Sequence, residues 1–253
     1  MVFKVRIMPT LLYRDLTLVK GVSFDSWRRV GSPMQAVKVY NVREVDELVF
    51  LDVRATEEGR RPDFALIDEL ADDCFMPFAV GGGIRSLDDV AGLLRVGADK
   101  VVVNTAALER PVLIDEIRQR FGAQAVVVSI DARRRPDGSY EAWSHSGTRA
   151  TRADPVELAR ASVERGAGEI LITNVDRDGT MEGYDLDLTR RVAEAVSVPV
   201  IASGGCGSYE HMRQAVQEAG ASAVAAASIF HFTQQTPLEA KRYLRDHGVA
   251  VRM

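Results

Sequence analysis

One glycine-centred segment occurs twice in this chain, and the distance between its copies restricts the fold more than any other feature. Residues 77–83 read PFAVGGG, continue as IRSLDDV, and lead to Gly97-Ala98 and VVVNTAA. Residues 199–205 read PVIASGG, continue as CGSYEHM, and lead to Gly220-Ala221 and AVAAASI. Pro77 and Pro199 lie 122 residues apart in a chain of 253, and a one-residue insertion keeps the second glycine in register. The same offset carries LVFLD (48–52) onto ILITN (170–174). Similarity sustained over such a span is the mark of a duplicated structural unit. The chain is therefore expected to be one domain made of two halves, approximately 1–122 and 123–253.

Short apolar runs alternate with amphipathic stretches from end to end. The runs are 5–12, 47–53, 76–80, 100–104, 125–131, 169–174, 199–203 and 223–227, rich in Val, Ile, Leu and Ala and without polar alternation. That pattern suits strands buried on both faces. Segments such as 86–96, 111–120, 155–165, 186–195 and 209–219 read as the intervening helices. Eight strand–helix units imply a parallel sheet, and eight are what close a barrel. A length of 253 matches the ~250 residues typical of that architecture. The expected fold is a single (β/α)8 TIM barrel of four units repeated. An open doubly wound sheet is disfavoured because no GxGxxG follows the first strand.

The 32 basic and 36 acidic residues give a formal charge of −4, so no general attraction to nucleic acid is expected. Cys74 and Cys206 stand far apart in sequence and are expected as two buried thiols. No metal-ligand spacing is present, and neither a metal nor a cofactor is expected. The first residues lack the apolar core of a signal peptide, and no run reaches 18 apolar residues, so a cytoplasmic protein without membrane attachment is expected.

In such barrels function gathers at the C-terminal ends of the strands. There the sequence puts Gly82 and Gly83 after the third strand, and Asn104 and Thr105 after the fourth. Ser203, Gly204 and Gly205 follow the seventh, and Ala227 and Ser228 the eighth. Glycine lets an anion approach backbone N–H groups, and serine and threonine add hydroxyl donors. Two such loops at equivalent places predict an elongated, phosphorylated small-molecule ligand gripped at both ends. Asp131, closing the apolar strand VVVSIDA, is the expected proton-transfer group, since a carboxylate there is costly to bury without a task. Asp178 and Gly179 form a DG turn past the sixth strand, and Asp52 ends the second. His145 and His211 read as solvated. The repeat also predicts a carboxylate opposite Asp131 on the first strand, RIMPTLL, but the equivalent residue is Leu12.

From near residue 4 to its end, the sequence resembles the cyclase-subunit family of imidazole glycerol phosphate synthase. The resemblance is carried by DELVFLDV, VGGGI, GADKVVVNTAA, QAVVVSIDA, GAGEILITNVDRDGT, IASGG and YLRDHGVAVR. It implies a barrel that pairs, as a heterodimer, with a class I glutaminase and takes its ammonia through the core. The family converts a two-phosphate ribulosyl aminoimidazole-carboxamide into imidazole glycerol phosphate, with two aspartates as general acid and base. Asp131 matches one of these, and Leu12 replaces the other. Arg6, Glu47, Lys100 and Glu169, taken as lying on alternate strands, match the family's ring of opposite charges at the ammonia entrance. Asp99 and Gln124 match positions that meet the glutaminase. Lys20 matches a lysine of the mobile first loop, and Ala79 stands where many relatives carry Thr.

With Leu12 in place of a proton-transfer group, the opening segment is closer to a paralogous branch linked to surface-polysaccharide gene sets. Members of that branch are associated with a glutaminase and a separate amidotransferase that install acetamidino groups on amino sugars, as in lipopolysaccharide biosynthesis. The expectation is a barrel that relays ammonia in that setting. The alternatives are a genuine cyclase subunit of histidine biosynthesis and a non-catalytic partner that activates a glutaminase. A related isomerase fits less well, because it needs no ammonia entrance.

Overall fold

The computed structural model describes residues 4–253. Strand β1 (Arg6–Arg14) leads into the hairpin of β2 (Thr17–Val22) and β3 (Asp25–Gly31), then α1 (Pro33–Val42). There follow β4 (Leu48–Asp52), α2 (Phe64–Asp72), β5 (Phe78–Gly81), α3 (Leu87–Arg95), β6 (Lys100–Val103), α4 (Thr105–Glu109) and α5 (Val112–Phe121). The second half opens the same way, with β7 (Val126–Arg134) and the hairpin of β8 (Tyr140–Ser144) and β9 (Arg149–Ala150). It continues through α6 (Pro155–Arg165), β10 (Glu169–Asn174), α7 (Leu186–Ala195), β11 (Val200–Ser203), α8 (Tyr209–Gln217), β12 (Ala223–Ala226), α9 (Ser228–Phe232) and α10 (Pro237–Asp246).

Eight of these strands pair in parallel in the order β1-β4-β5-β6-β7-β10-β11-β12. The ring closes where β12 pairs with β1, from Arg6↔Ala223 to Pro9↔Ala226. The chain is thus a (β/α)8 barrel. Local chemistry sets the helix boundaries. Ser86 and Asp89 form a capping box on α3, and Thr236 and Glu239 form another on α10. Asp154 caps α6 ahead of Pro155, and Gly166 ends it in the left-handed conformation.

Closure divides every strand into an outward row under the helices and an inward row filling the barrel. Met8, Ala79, Val127 and Ile201 point inward from one alternate set of strands, and Val49, Val102, Leu171 and Ala225 from the other. Together they form a continuous apolar plug. Two residues toward the N-terminal face, the same rows present Glu47, Lys100, Glu169 and Ala223. Two residues toward the C-terminal face, they present Thr10, Gly81, Ser129 and Ser203, and then Leu12 and Asp131 above Thr10 and Ser129.

Several expectations need correction. Neither Leu12 nor Asp131 ends its strand, because β1 and β7 run on to Arg14 and Arg134 and fold back as hairpins. Leu12 pairs with Val19 and Asp131 with Trp143, so both residues sit where parallel barrel meets antiparallel hairpin. The hairpin strands escaped the sequence reading because β3 is mostly exposed and β9 has two residues, leaving no apolar run to detect. Cys206 is buried, but Cys74 is only partly so.

Beneath the barrel, Lys241 of α10 is buried with its Nζ 2.8 Å from Asp46 Oδ1 and 2.8 Å from the Glu44 carbonyl. The second oxygen of Asp46 accepts the N–H of Ile7 at 2.9 Å, tying the last helix to the first strand. Lys241→Ala leaves Asp46 as an uncompensated buried charge. It is expected to lower the unfolding free energy by about 3–5 kcal/mol, measured by chemical denaturation.

Candidate functional site

The C-terminal face of the barrel holds one cavity that gathers residues from both halves. It is lined by Leu12, Lys20, Asp52, Gly82, Gly83, Asn104, Thr105, Asp131, Asp178, Gly179, Ser203, Gly204, Gly205, Ala227 and Ser228. Every residue singled out for the mouth of the barrel therefore lies on one wall or another. Thr10, Ser129, Thr173, Phe24, Trp27 and Ser146 also line it and were not anticipated. Phe24, Trp27 and Ser146 belong to the hairpin segments, which left no hydropathy signal. The three hydroxyl residues had one: each is polar at an inward position of an otherwise apolar run.

The two glycine turns have the same construction. Gly82 and Gly204 both take positive φ, 107° and 87°. A Cβ on Gly82 would lie 2.3 Å from the Asp52 carbonyl oxygen, and one on Gly204 2.6 Å from that of Asn174. Asp52 and Asn174 are themselves equivalent in the repeat, so each glycine is required by the loop packed beside it as well as suited to an anion. One strand later, Asn104 and Ala227 share an irregular backbone, φ/ψ −119°/−84° and −125°/−67°, before the short helices α4 and α9.

The side chains break this symmetry. Ser228 Oγ is buried with no hydrogen-bond partner among the described residues, so it is free to donate into the cavity. Thr105 Oγ1 already accepts the N–H of His145 at 3.0 Å. Asn104 Nδ2 donates to Asp131 Oδ2 at 2.9 Å. At the other seam between the halves, where β12 meets β1, the equivalent neighbours are Ala227 and Leu12, which share no polar contact.

Asp131 is buried, and burial pushes its carboxyl up to about 7. The hydrogen bond from Asn104 and the charge of Arg133 pull it down, whereas the charge of Asp178 pushes it up. The group therefore changes protonation near neutrality, as a general acid or base should. Asp52 is differently placed. Its carboxylate accepts the N–H groups of Arg54 and Ala55, each at 3.0 Å, and meets Arg60 at 3.1 Å. It organises the loop above the first glycine turn while lining the cavity.

A cover lies over the mouth. Lys20 of β2 is 3% exposed and paired with Asp178. Ser23 donates its N–H to the Asp178 carbonyl at 2.7 Å and its hydroxyl to the Asp176 carbonyl at 3.1 Å. Phe24 packs on Gly147 of the other hairpin, where a Cβ would meet its ring at 2.8 Å. The histidines are more engaged than their sequence context suggests. His145 is partly buried against Ser144 Oγ at 3.1 Å, and His211 Nδ1 accepts the Gly207 N–H at 3.2 Å.

At the opposite face, Arg6 bonds Glu47 at 2.6 Å and Glu169 at 2.9 Å, and Lys100 bonds them at 2.8 and 2.9 Å. These four come from β1, β4, β6 and β10 and so do not strictly alternate. The fourth strand of the alternating set, β12, supplies only Ala223, and Arg6, its registered neighbour, fills that corner. Burial pushes the Glu169 carboxyl up, but the hydrogen bonds and charges of Arg6 and Lys100 outweigh it and hold the group below its ordinary range. Asp99 and Gln124 are both exposed on this face, at the turns into β6 and β7.

The raised proton affinity of Asp131 has a thermodynamic consequence. The folded state holds this proton more tightly than the unfolded chain, so its contribution to stability is present below about pH 4 and is lost as pH rises toward 7. Asp131→Asn removes that dependence. Its unfolding free energy relative to the parent is expected to increase between pH 4 and 7 by up to about 4 kcal/mol and then level off, measured by denaturation at fixed pH values.

Among the described residues, no helix is long and apolar enough to cross a membrane. Residues 6–236 match the family described as "Histidine biosynthesis protein". Barrel, repeat and family match coincide over nearly the whole chain, which belongs to the histidine biosynthesis protein family.

Proposed function

We propose that this barrel binds an elongated ligand with two phosphate groups across its mouth and receives ammonia from a glutaminase docked on the opposite face. The observation that carries this reading is the order of layers along the barrel axis. A closed ring of two cations and two carboxylates, Arg6, Lys100, Glu47 and Glu169, stands at one end. An apolar plug follows, and Asp131 with the two glycine turns stands at the other end. A ring of matched charges inside a barrel is expensive to desolvate, and a gate for a small neutral molecule gives it a purpose. Val42 and Phe75, each 84% exposed, offer apolar anchors at turns that precede β4 and β5, as the exposed Asp99 and Gln124 precede β6 and β7.

Leu12 sets the chemistry apart from cyclisation. It is buried at the cavity wall in the place equivalent to Asp131, so only one group of a two-carboxylate acid–base pair is present. This favours a paralogue that relays ammonia to a separate amidotransferase acting on an amino sugar in surface-polysaccharide synthesis. The histidine-pathway cyclase is the second reading, supported by Asp131 and the Lys20–Asp178 pair in the same cavity.

Supplied with the two-phosphate ribulosyl substrate and ammonium chloride, the protein is expected to form imidazole glycerol phosphate about 10²–10⁴ times more slowly than Leu12→Asp. Equal rates would decide for the cyclase. Lys100→Ala leaves Glu47 and Glu169 with Arg6 alone. With a glutaminase partner it is expected to release more ammonia to solvent per glutamine hydrolysed, while inorganic phosphate binds as before; unchanged release would count against the gate.

A further inference from the structure

On the outside of the barrel, α3 and its counterpart α8 begin alike and then diverge. Ser86 and Ser208, equivalent in the repeat, cap the two helices, so the correspondence continues along them. In α8 a single guanidinium closes the outer face. Arg213 bonds Glu210 at 2.8 and 2.6 Å, Gln217 at 2.7 Å and Glu218 at 3.0 Å. At the places of Arg213, Gln217 and Glu218, α3 has Ala91, Arg95 and Val96. The bridging arginine and one of its acids are gone, and a guanidinium stands where an amide stood. What is left is an open groove of about 500 Å³ between α2, α3 and α5, of small-molecule size.

Arg61, Arg95 and Arg120 reach this groove from three different elements, over a floor that includes Phe64, Ala91 and Gly92. Gly92 sets its depth. A Cβ there would lie 2.6 Å from the Phe64 ring, which also carries the Arg61 guanidinium 5.2 Å from its centroid. Asp89 holds Arg61 Nε at 2.7 Å and leaves its terminal nitrogens without a partner among the described residues. Arg95 and Arg120 are exposed and pair with no carboxylate among the described residues, and Asp88 is the one acid on the lining. Both arginines lie in the last turn of their helices, where a cation suits the helix dipole. That explains each alone, but not their meeting with Arg61 around one groove. Guanidinium forks match phosphate oxygens, and three around one groove favour a multivalent anion over a single charge. The apolar floor suits a flat ring attached to it. We propose that this groove is a binding site for a nucleoside diphosphate, with the phosphates among Arg61, Arg95 and Arg120 and the base over Phe64 and Gly92. Its lining offers no nucleophile and no proton-transfer pair, so the ligand is held rather than transformed. The site stands apart from the mouth of the barrel and does not depend on the relay reading.

ADP is a suitable probe. Because the mouth of the barrel also suits phosphate, its place is read from soaked crystals and its affinity from titration calorimetry. The crystals are expected to show the diphosphate between Arg95 and Arg120. Arg95→Gln, which gives α3 the residue that α8 carries at Gln217, is expected to weaken ADP binding about ten-fold, as is Arg120→Gln. The double variant is expected to leave no density in the groove, with Tm unchanged because both side chains are exposed. Inorganic pyrophosphate is expected to bind more weakly than ADP, and adenosine not at all. Absence of ADP binding, density confined to the mouth, or an affinity unchanged in the double variant overturns the proposal. Pyrophosphate binding as tightly as ADP makes the groove a bare anion site and overturns the assignment of a nucleotide.

Discussion

Closure of the strand ring, where β12 meets β1, is the constraint from which the rest of the molecule follows. An open sheet has two faces and two edges, whereas a closed one has an inside and an outside and no edge to protect. Each inward residue is then assigned to a level by its position in its strand. This is why charge, apolar side chains, hydroxyls and finally Asp131 appear in sequence along the axis rather than scattered. The same rule explains the place of Arg6. The level of Glu47, Lys100 and Glu169 is completed by a strand that offers only Ala223, and the arginine beside it extends into the corner left open.

The two halves repeat at the level of backbone and diverge at the level of side chains. Hairpins follow β1 and β7, glycine turns follow β5 and β11, and five-residue helices follow β6 and β12. Against that common frame, Asn104 and Asp131 at one seam between the halves face Ala227 and Leu12 at the other. Thr105 is occupied by the β8–β9 hairpin while Ser228 is not. One side of the mouth is therefore a polar, titratable wall and the other an apolar one, which orients any unsymmetrical ligand laid across it.

Much of this was legible in the sequence because the signals are periodic. Eight apolar runs and a 122-residue offset are collective features that single substitutions do not erase, and they fixed both the barrel and the glycine turns. The place of Asp131 at the C-terminal end of an apolar run was readable for the same reason. The hairpins were not, since a strand such as β3, mostly exposed and packed on one neighbour, carries no hydropathy pattern. Asp52 marks a point where sequence position stops informing. Its strand-end position was right, but only the structure reveals that Arg60 and two backbone N–H groups already claim its oxygens. The solvated reading of His145 and His211 also fell short, because a turn or surface-helix residue acquires burial only from what packs over it.

The ion pair beneath the cover has a consequence of its own. Lys20 is the one cation among the described residues that line the mouth, and its charge is already matched by Asp178. An anion reaching it must therefore outcompete a carboxylate at contact distance in a site shielded from water. A monovalent ion offers no more than Asp178 does, whereas a doubly charged phosphate offers more. On the proposed function, the internal carboxylate is a threshold that selects guests by valence before shape is consulted.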